Sequence, residues 1–160
     1  MKRFALILLT LSMLLLCASC GQKTELSDDA AAPQTAAAWV DLLAQNVPFD
    51  DTMTSVPENA ASVYGIRDED GYTGDCALYI STMATPEEIA VFRADSVLST
   101  ADLTVLAAAR LMRQQESYAD YAPDEVPKIE SAVVRTIGDF VIVCVCADNA
   151  KAETLLDAYA

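Results

Sequence analysis

The sequence predicts a single α+β domain, with elements in the order α-β-β-α-β-β-α and a mostly antiparallel four-stranded sheet packed by helices. Its 160 residues are the length of one domain. Hydrophobic residues make up 53% of the chain, which is enough to form a core and argues against global disorder. Apolar residues recur at helical spacing in three segments and alternate with the period of a strand in four others.

Residues 1–19 have the pattern of a lipoprotein signal peptide. Two basic residues precede an apolar run over residues 4–16, which is shorter than the roughly 20 residues of a membrane span. The small residues Ala18 and Ser19 stand directly before Cys20 and form a lipobox, although Cys17 occupies the position where leucine is usual. We expect cleavage after residue 19 and a lipid on Cys20. An ordinary signal peptide or an uncleaved anchor is the alternative.

Residues 20–35 are predicted to be the lipidated cysteine and a flexible tether, because residues 21–35 contain one large apolar side chain. The folded domain is then 36–160. A diacylglycerol supplies two acyl chains, which hold a protein on a membrane stably. We therefore expect the domain on the extracytoplasmic face of the cell membrane. The formal charge of the whole chain is −14, and loss of two basic residues with the signal peptide makes it −16.

The first half of the domain predicts one helix and a β-hairpin. Ala36 to Val47 has helical apolar spacing after a possible N-cap, Thr35, and Pro48 ends it. Residues 49–75 are irregular and acidic. Cys76 to Met83 and Glu88 to Ala94 alternate like strands. A helix beginning at Pro86 competes with the second strand, which we favour for its β-branched and aromatic residues.

The second half predicts a long helix, a second hairpin and a closing helix. Ser99 to Tyr121 begins with a capping residue and carries one apolar and aromatic stripe. Ile129 to Ile137 and Phe140 to Ala147 are β-rich runs joined by a Gly-Asp turn. The second run is apolar on both faces and is predicted to be a central strand. Asn149 to Tyr159 has the pattern of an amphipathic helix.

Several short motifs follow one another from Tyr64 to the C-terminus. They are Tyr64-Gly65-Ile66, the run from Glu87 to Phe92, the helical set Arg110, Gln114, Tyr118 and Tyr121, Pro123 with the acids after it, Gly138 at a strand end, and the apolar run 140–146. With the lipobox, they resemble a family of small lipoproteins of Clostridia-type Gram-positive bacteria that is classed as a domain of unknown function. The resemblance supports the strand over Glu88 to Ala94. It implies no reaction, ligand or catalytic residue.

Composition excludes several familiar functions. The chain has 24 acidic and 10 basic residues and no histidine. An acidic domain lacks the clustered positive field that nucleic acid binding needs. Without histidine, Ser-His-Asp and Cys-His catalysis and His-ligated zinc are excluded. We expect no cofactor, and no recognisable nucleophile–base set indicates an enzyme.

The polar and aromatic stripe of the long helix is the best candidate for a ligand or partner face. It consists of Arg110, Gln114, Tyr118 and Tyr121. The guanidinium of Arg110 has the geometry to clamp a carboxylate. The alternative is a helix packed on the sheet, with Arg110 and Gln114 bonding strand ends or loops.

Two further groups of residues are weaker candidates. Cys76 can form a disulfide with Cys144 or Cys146 if the strands allow it, or all three can be small buried hydrophobes. Asp68, Asp70 and Asp75 resemble part of a calcium loop, although the full loop pattern fails and a solvated acidic turn is the alternative.

These features together predict a lipid-anchored, extracytoplasmic binding or interaction domain. Its partners would be the membrane, through the lipid on Cys20, and an unidentified protein or small ligand, but not nucleic acid. An accessory subunit of a membrane complex is the alternative, and an envelope enzyme is a third.

Overall fold

The computed structural model describes residues 31–160, which form one compact unit. The predicted signal peptide, Cys20 and tether residues 21–30 lie outside the described residues. The described part contains five α-helices and five β-strands, which in chain order are α1 Ala36–Asn46, β1 Thr54–Ser55, α2 Ala60–Val63, β2 Cys76–Ile80, β3 Glu88–Arg93, α3 Thr100–Tyr121, α4 Val126–Glu130, β4 Val133–Ile137, β5 Phe140–Val145 and α5 Asn149–Asp157. No helix within residues 31–160 is long and apolar enough to cross a membrane.

The strands form one antiparallel sheet in the order β1-β2-β3-β5-β4. β3 and β5 occupy the centre, with Ala90 opposite Val143 in their register. Every residue of β5 is buried, which confirms the prediction of a central strand covered on both faces. Gly138 has φ +59° in the turn from β4 to β5, the left-handed conformation that glycine adopts without steric cost.

Helices cover both faces of the sheet. On one face, Trp39 and Leu43 of α1 and Leu156 of α5 pack against Ile89 of β3 and Ile142 of β5. On the other face, Leu103 and Ala107 of α3 pack with Tyr64, Phe92 and Val143. Because side chains alternate along a strand, odd and even residues of β3 belong to different cores. Consecutive residues at the start of β3 therefore face different helices.

The structure confirms the α+β fold, and most element predictions agree with it. Thr35 caps α1, since its hydroxyl accepts from the backbone N–H of Ala38 at 3.2 Å. Ser99 and Asp102 form a capping box at the start of α3. Residues 88–93 form a strand, as we favoured, and not a helix beginning at Pro86.

Two predictions about the sheet were wrong. The sheet has five strands, not four, because Thr54 and Ser55 pair with Ile80 and Tyr79. A strand of two exposed residues has no apolar alternation to detect. The run from Ile129 to Ile137 is not one strand. Its first two residues end helix α4, where Pro127 supplies the fixed φ of an early helical position, and the strand starts at Val133.

Only glycine fits at position 74, because the backbone of Arg93 lies close to it. A Cβ there would overlap the carbonyl oxygen of Arg93 and the ring of Tyr72, whose hydroxyl donates to that same carbonyl at 2.8 Å. We expect Gly74→Ala to lower the free energy of unfolding by about 3 kcal/mol, the upper end of the usual cost of overpacking, because the overlap is with backbone. Gly71→Ala is the control: its φ of +74° is strained for alanine but the surrounding space is open, so about 1 kcal/mol is expected. Urea unfolding compares the two, and equal losses would contradict the overlap.

Candidate functional site

A fully buried carboxylate, that of Glu88, lies at the first residue of β3. Its Oε1 accepts from the hydroxyl of Tyr64 at 2.5 Å. Its Oε2 accepts from Arg110 Nη2 at 2.8 Å, from Arg110 Nε at 3.2 Å and from Gln114 Nε2 at 3.0 Å. Each carboxylate oxygen has about two lone-pair sites, so three donors share Oε2, one donor lies on Oε1, and both oxygens are hydrogen-bonded.

The fold brings these donors together from two directions. Arg110 and Gln114 are four residues apart on α3 and therefore lie on one side of the helix. Tyr118 extends the same row by another turn, and its hydroxyl contacts the carbonyl oxygens of Thr85 at 2.6 Å and Met83 at 3.0 Å in the β2–β3 loop. Tyr64 follows α2 and lies against Phe92. The sheet-facing side of α3 is thus bonded to β3 and to the loop before it.

The charges in this cluster support one another. Burial alone would lower the pKa of Arg110, but the carboxylate of Glu88 raises it above its usual value. Burial and the neighbouring charge of Glu88 raise the pKa of Tyr64 well above 10. Tyr64 therefore remains a hydrogen-bond donor to Glu88 at neutral pH, and Arg110 remains a cation.

Glu87, the preceding residue, is buried on the other face. Its carboxylate accepts from the backbone N–H of Asp50 at 2.9 Å and of Asp51 at 3.0 Å, and Lys128 Nζ lies 3.4 Å away. Burial alone would lower the pKa of Lys128, but hydrogen bonds to Glu125 and Asp50 raise it. Glu87 thus fastens the segment after α1 and helix α4 to the start of β3.

A cavity of about 290 Å³ lies between α3, the β2–β3 loop and the end of α2. Arg110, Arg113, Gln114 and Tyr118 line it from α3, and its apolar walls come from Val63, Ile80, Met83 and Pro86. Gln114 is 7% exposed. Its Nε2 faces two acceptors, Glu88 and the carbonyl oxygen of Pro86, so the amide orientation is fixed. Its Oε1 is buried and has no hydrogen-bond partner in residues 31–160.

An exposed surface adjoins this cavity and contains one residue with a strained backbone, Met83, and one exposed aromatic ring, Tyr121. Met83 has φ +74° and is 72% exposed, a conformation that non-glycine residues rarely adopt. Tyr121 is 69% exposed and packs edge-on against Tyr118, with ring centroids 6.0 Å apart. A second cavity of about 400 Å³ shares Met83, Ser117 and Tyr118 with the first and adds Tyr121.

The four residues predicted to form a ligand or partner face do not all lie at the same cavity. Arg110, Gln114 and Tyr118 bond a strand end and a loop, as the packing alternative predicts, and they also line the 290 Å³ cavity. Tyr121 lies outside it, at the second cavity.

Cys76, Cys144 and Cys146, the three cysteines within residues 31–160, form no disulfide with one another. Cys144, on β5, belongs to the core under α1, whereas Cys76, on β2, packs against the core under α3. Strand β3 lies between them, so they are two strands apart, roughly 10 Å, and on opposite faces. This distance exceeds what a disulfide spans. Cys146 lies in the same core as Cys144, and pairing of Cys76 with either is incompatible with the sheet.

Two of the three acidic residues considered as calcium ligands accept hydrogen bonds from other parts of the protein. Asp70 accepts from the backbone and guanidinium of Arg67, and Asp75 accepts from the backbone N–H of Ala36 at the start of α1 at 2.7 Å. Asp68 begins a 3₁₀ turn. No group of three metal-ligating side chains occurs within the described range 31–160, so Asp68, Asp70 and Asp75 do not converge.

Comparison with known proteins identifies the family to which the chain belongs. Residues 46–146 match the model of a domain of unknown function, DUF4358. The chain belongs to the DUF4358 family. The matched range contains Glu87, Glu88, the α3 row and the β2–β3 loop. No curated protein and no solved structure matches the chain.

The sequence does not predict the buried residues that bond helix α3 to the start of β3. In the sequence, Glu87, Glu88 and Tyr64 stand out only as members of short motifs. The signal that was available is the position of two acids at the start of an otherwise apolar strand, since buried carboxylates occur only where partners satisfy them.

The Tyr64–Glu88 hydrogen bond predicts an alkaline signature. Tyr64→Phe leaves Glu88 Oε1 buried without a donor, and we expect a loss of about 1.5–3 kcal/mol in the free energy of unfolding at pH 7. Because folding raises the pKa of Tyr64 above 10, its proton-linked stabilisation is fully present below pH 10 and is lost as the pH rises above that value. The alkaline decline in stability should therefore be shallower in Tyr64→Phe.

Urea unfolding at pH 8 and pH 10.5 measures both effects. Tyr79→Phe, a change at a half-buried tyrosine of β2, is the control and should retain the decline of the native chain. If both variants kept that decline, Tyr64 would not be the source.

Proposed function

We propose that this protein is a lipid-anchored, extracytoplasmic binding domain that takes a small ligand into the 290 Å³ cavity beside Glu88. The observation that carries the proposal is the lining of this cavity, where apolar walls lie beside Arg110 and Arg113, whose guanidinium groups keep N–H donors without an acceptor in residues 31–160. A ligand with a hydrogen-bond acceptor can pair with those donors.

The chemistry of the cavity favours binding over catalysis. Glu88 is its only fully buried acid on the α3 side, and the side chain has no exposed surface. Its carboxylate therefore cannot come within hydrogen-bond distance of a substrate in the cavity, as a general base must. Apolar walls with a few convergent polar groups are typical of small-molecule sites.

The proposal of a lipid anchor is based on the sequence alone. The basic start, the apolar run over residues 4–16 and the small residues before Cys20 support lipidation of that cysteine. About ten residues separate Cys20 from residue 31, the first that the structure describes. A domain tethered in this way would sample ligands close to the membrane surface.

Cys20→Ala tests the anchor. We expect the variant to leave the membrane fraction and to incorporate no labelled palmitate, because two acyl chains supply the membrane affinity. Cys17→Ala is the control and should remain in the membrane, since residue 17 is removed with the signal peptide. Cell fractionation followed by immunoblotting gives the result, and a Cys20→Ala variant that stays membrane-bound would refute lipid anchoring.

Ser117→Trp tests the cavity. Ser117 lies at its rim and is exposed, so an indole there covers the opening without entering the core. A panel of carboxylates, amines and neutral amides with small apolar bodies is screened by saturation-transfer NMR against the detergent-solubilised lipoprotein. We expect at least one class to bind the native chain and to lose binding in Ser117→Trp.

Ala108→Trp supplies the matched control, because Ala108 is exposed on α3 away from the cavity. It should leave binding unchanged. Absence of binding by every class, or binding that survives Ser117→Trp, would contradict the proposed cavity function.

A further inference from the structure

The polar groups of the cavity that remain available define the chemistry of its ligand. Glu88 is fully buried, so its carboxylate is out of reach of a ligand. Arginine has five N–H donors, and Glu88 takes two of those on Arg110. The other three have no acceptor in residues 31–160. Arg110 is 24% exposed at its side chain and lines the cavity, so donors of a cation remain at the wall.

Arg113 adds a second cation one turn away. It lines the same cavity and is exposed. Its single hydrogen bond in the described range is a long one, 3.4 Å from Nη2 to the carbonyl oxygen of Val63, and it forms no ion pair with any residue from 31 to 160. In a chain with 24 acidic and 10 basic residues, two arginines three residues apart make the cavity locally cationic.

A ligand that satisfies these groups needs two features close together. An anion, and above all a planar carboxylate, matches the guanidinium donors of Arg110 and Arg113. A hydrogen-bond donor beside that anion matches the hydroxyl oxygen of Tyr118, which lines the cavity. That hydroxyl donates its hydrogen to the loop carbonyls and keeps lone pairs for a ligand donor.

The rest of the cavity limits the ligand's body. Val63, Ile80, Met83 and Pro86 provide apolar walls, which favour an apolar group over a second charge. A volume of about 290 Å³ equals roughly ten water molecules at about 30 Å³ each. The ligand body is therefore small, on the order of ten non-hydrogen atoms.

We infer that the cavity between α3 and the β2–β3 loop binds an α-amino or α-hydroxy acid with an apolar side chain. The carboxylate would lie against Arg110 and Arg113, the α-substituent would donate to the hydroxyl oxygen of Tyr118, and the side chain would pack against the apolar wall. This inference rests on the proposed binding function and names the ligand class of the same cavity.

Four compounds with one carbon skeleton separate the contributions. L-leucine and 2-hydroxy-4-methylpentanoate carry both features, 4-methylpentanoate lacks the donor, and L-leucinamide lacks the carboxylate. Isothermal titration of the detergent-solubilised lipoprotein gives a Kd for each. We expect the first two to bind tightest, the third about tenfold more weakly and the fourth not measurably; tenfold in Kd corresponds to about 1.4 kcal/mol.

Arg113→Gln tests the cation directly. The variant should bind L-leucine about tenfold more weakly than the native chain, the loss expected for one charge-assisted contact of about 1.4 kcal/mol. Arg67→Gln, which removes an exposed arginine outside the cavity, should leave the Kd unchanged. Both positions are exposed, so both variants should fold.

The outcomes distinguish this inference from the function beneath it. L-leucinamide binding as tightly as L-leucine, or Arg113→Gln binding L-leucine normally, would overturn the carboxylate assignment while leaving a ligand-binding cavity. Equal binding of 4-methylpentanoate and L-leucine would overturn the role of Tyr118 as the acceptor. Failure of all four compounds overturns the ligand class, and the NMR panel with Ser117→Trp then decides separately whether the cavity binds any class.

Discussion

The fold depends on how it satisfies the charge of Glu88. This carboxylate is fully buried at the start of a central strand, and a buried charge is tolerated only where hydrogen bonds and an opposite charge replace water. The donors come from Tyr64 and from Arg110 and Gln114 of α3. Movement of α3 along the sheet would remove three of the four donors to Glu88. The apolar core under α3 holds the helix to the sheet, and Glu88 specifies where on the sheet it lies.

The neighbouring Glu87 extends the same constraint to the opposite face. Consecutive strand residues point to opposite sides, so Glu87 bonds the segment after α1 and Lys128 of α4. The cavity is a consequence of this arrangement. Gln114 uses its Nε2 for Glu88, and Arg110 divides its donors between Glu88 and the cavity. The groups that position the helix also leave the polar atoms that a ligand can use.

Periodicity predicted the large elements because their burial is regular. The long helix has a capping serine and a continuous stripe, and β5 is apolar on both faces, so both were found. The strand Thr54–Ser55 escaped because pairing of two exposed residues leaves no apolar pattern. The site was half predicted: Arg110, Gln114 and Tyr118 share a helix face, which spacing reveals. Their partner Glu88 is 22 residues from Arg110, and the one local sign of its burial is its place at the start of an apolar strand, which does not identify its partners.

A double-mutant cycle between Glu88 and Arg110 tests this account most directly. Removing one member of a buried ion pair leaves an uncompensated charge and typically costs about 3–5 kcal/mol. We therefore expect Glu88→Leu and Arg110→Leu each to be strongly destabilising in urea unfolding, and the double variant to lose far less than the sum of the two. Costs that add to within about 0.5 kcal/mol, as for independent sites, would contradict the claim that this buried pair fixes α3 on the sheet.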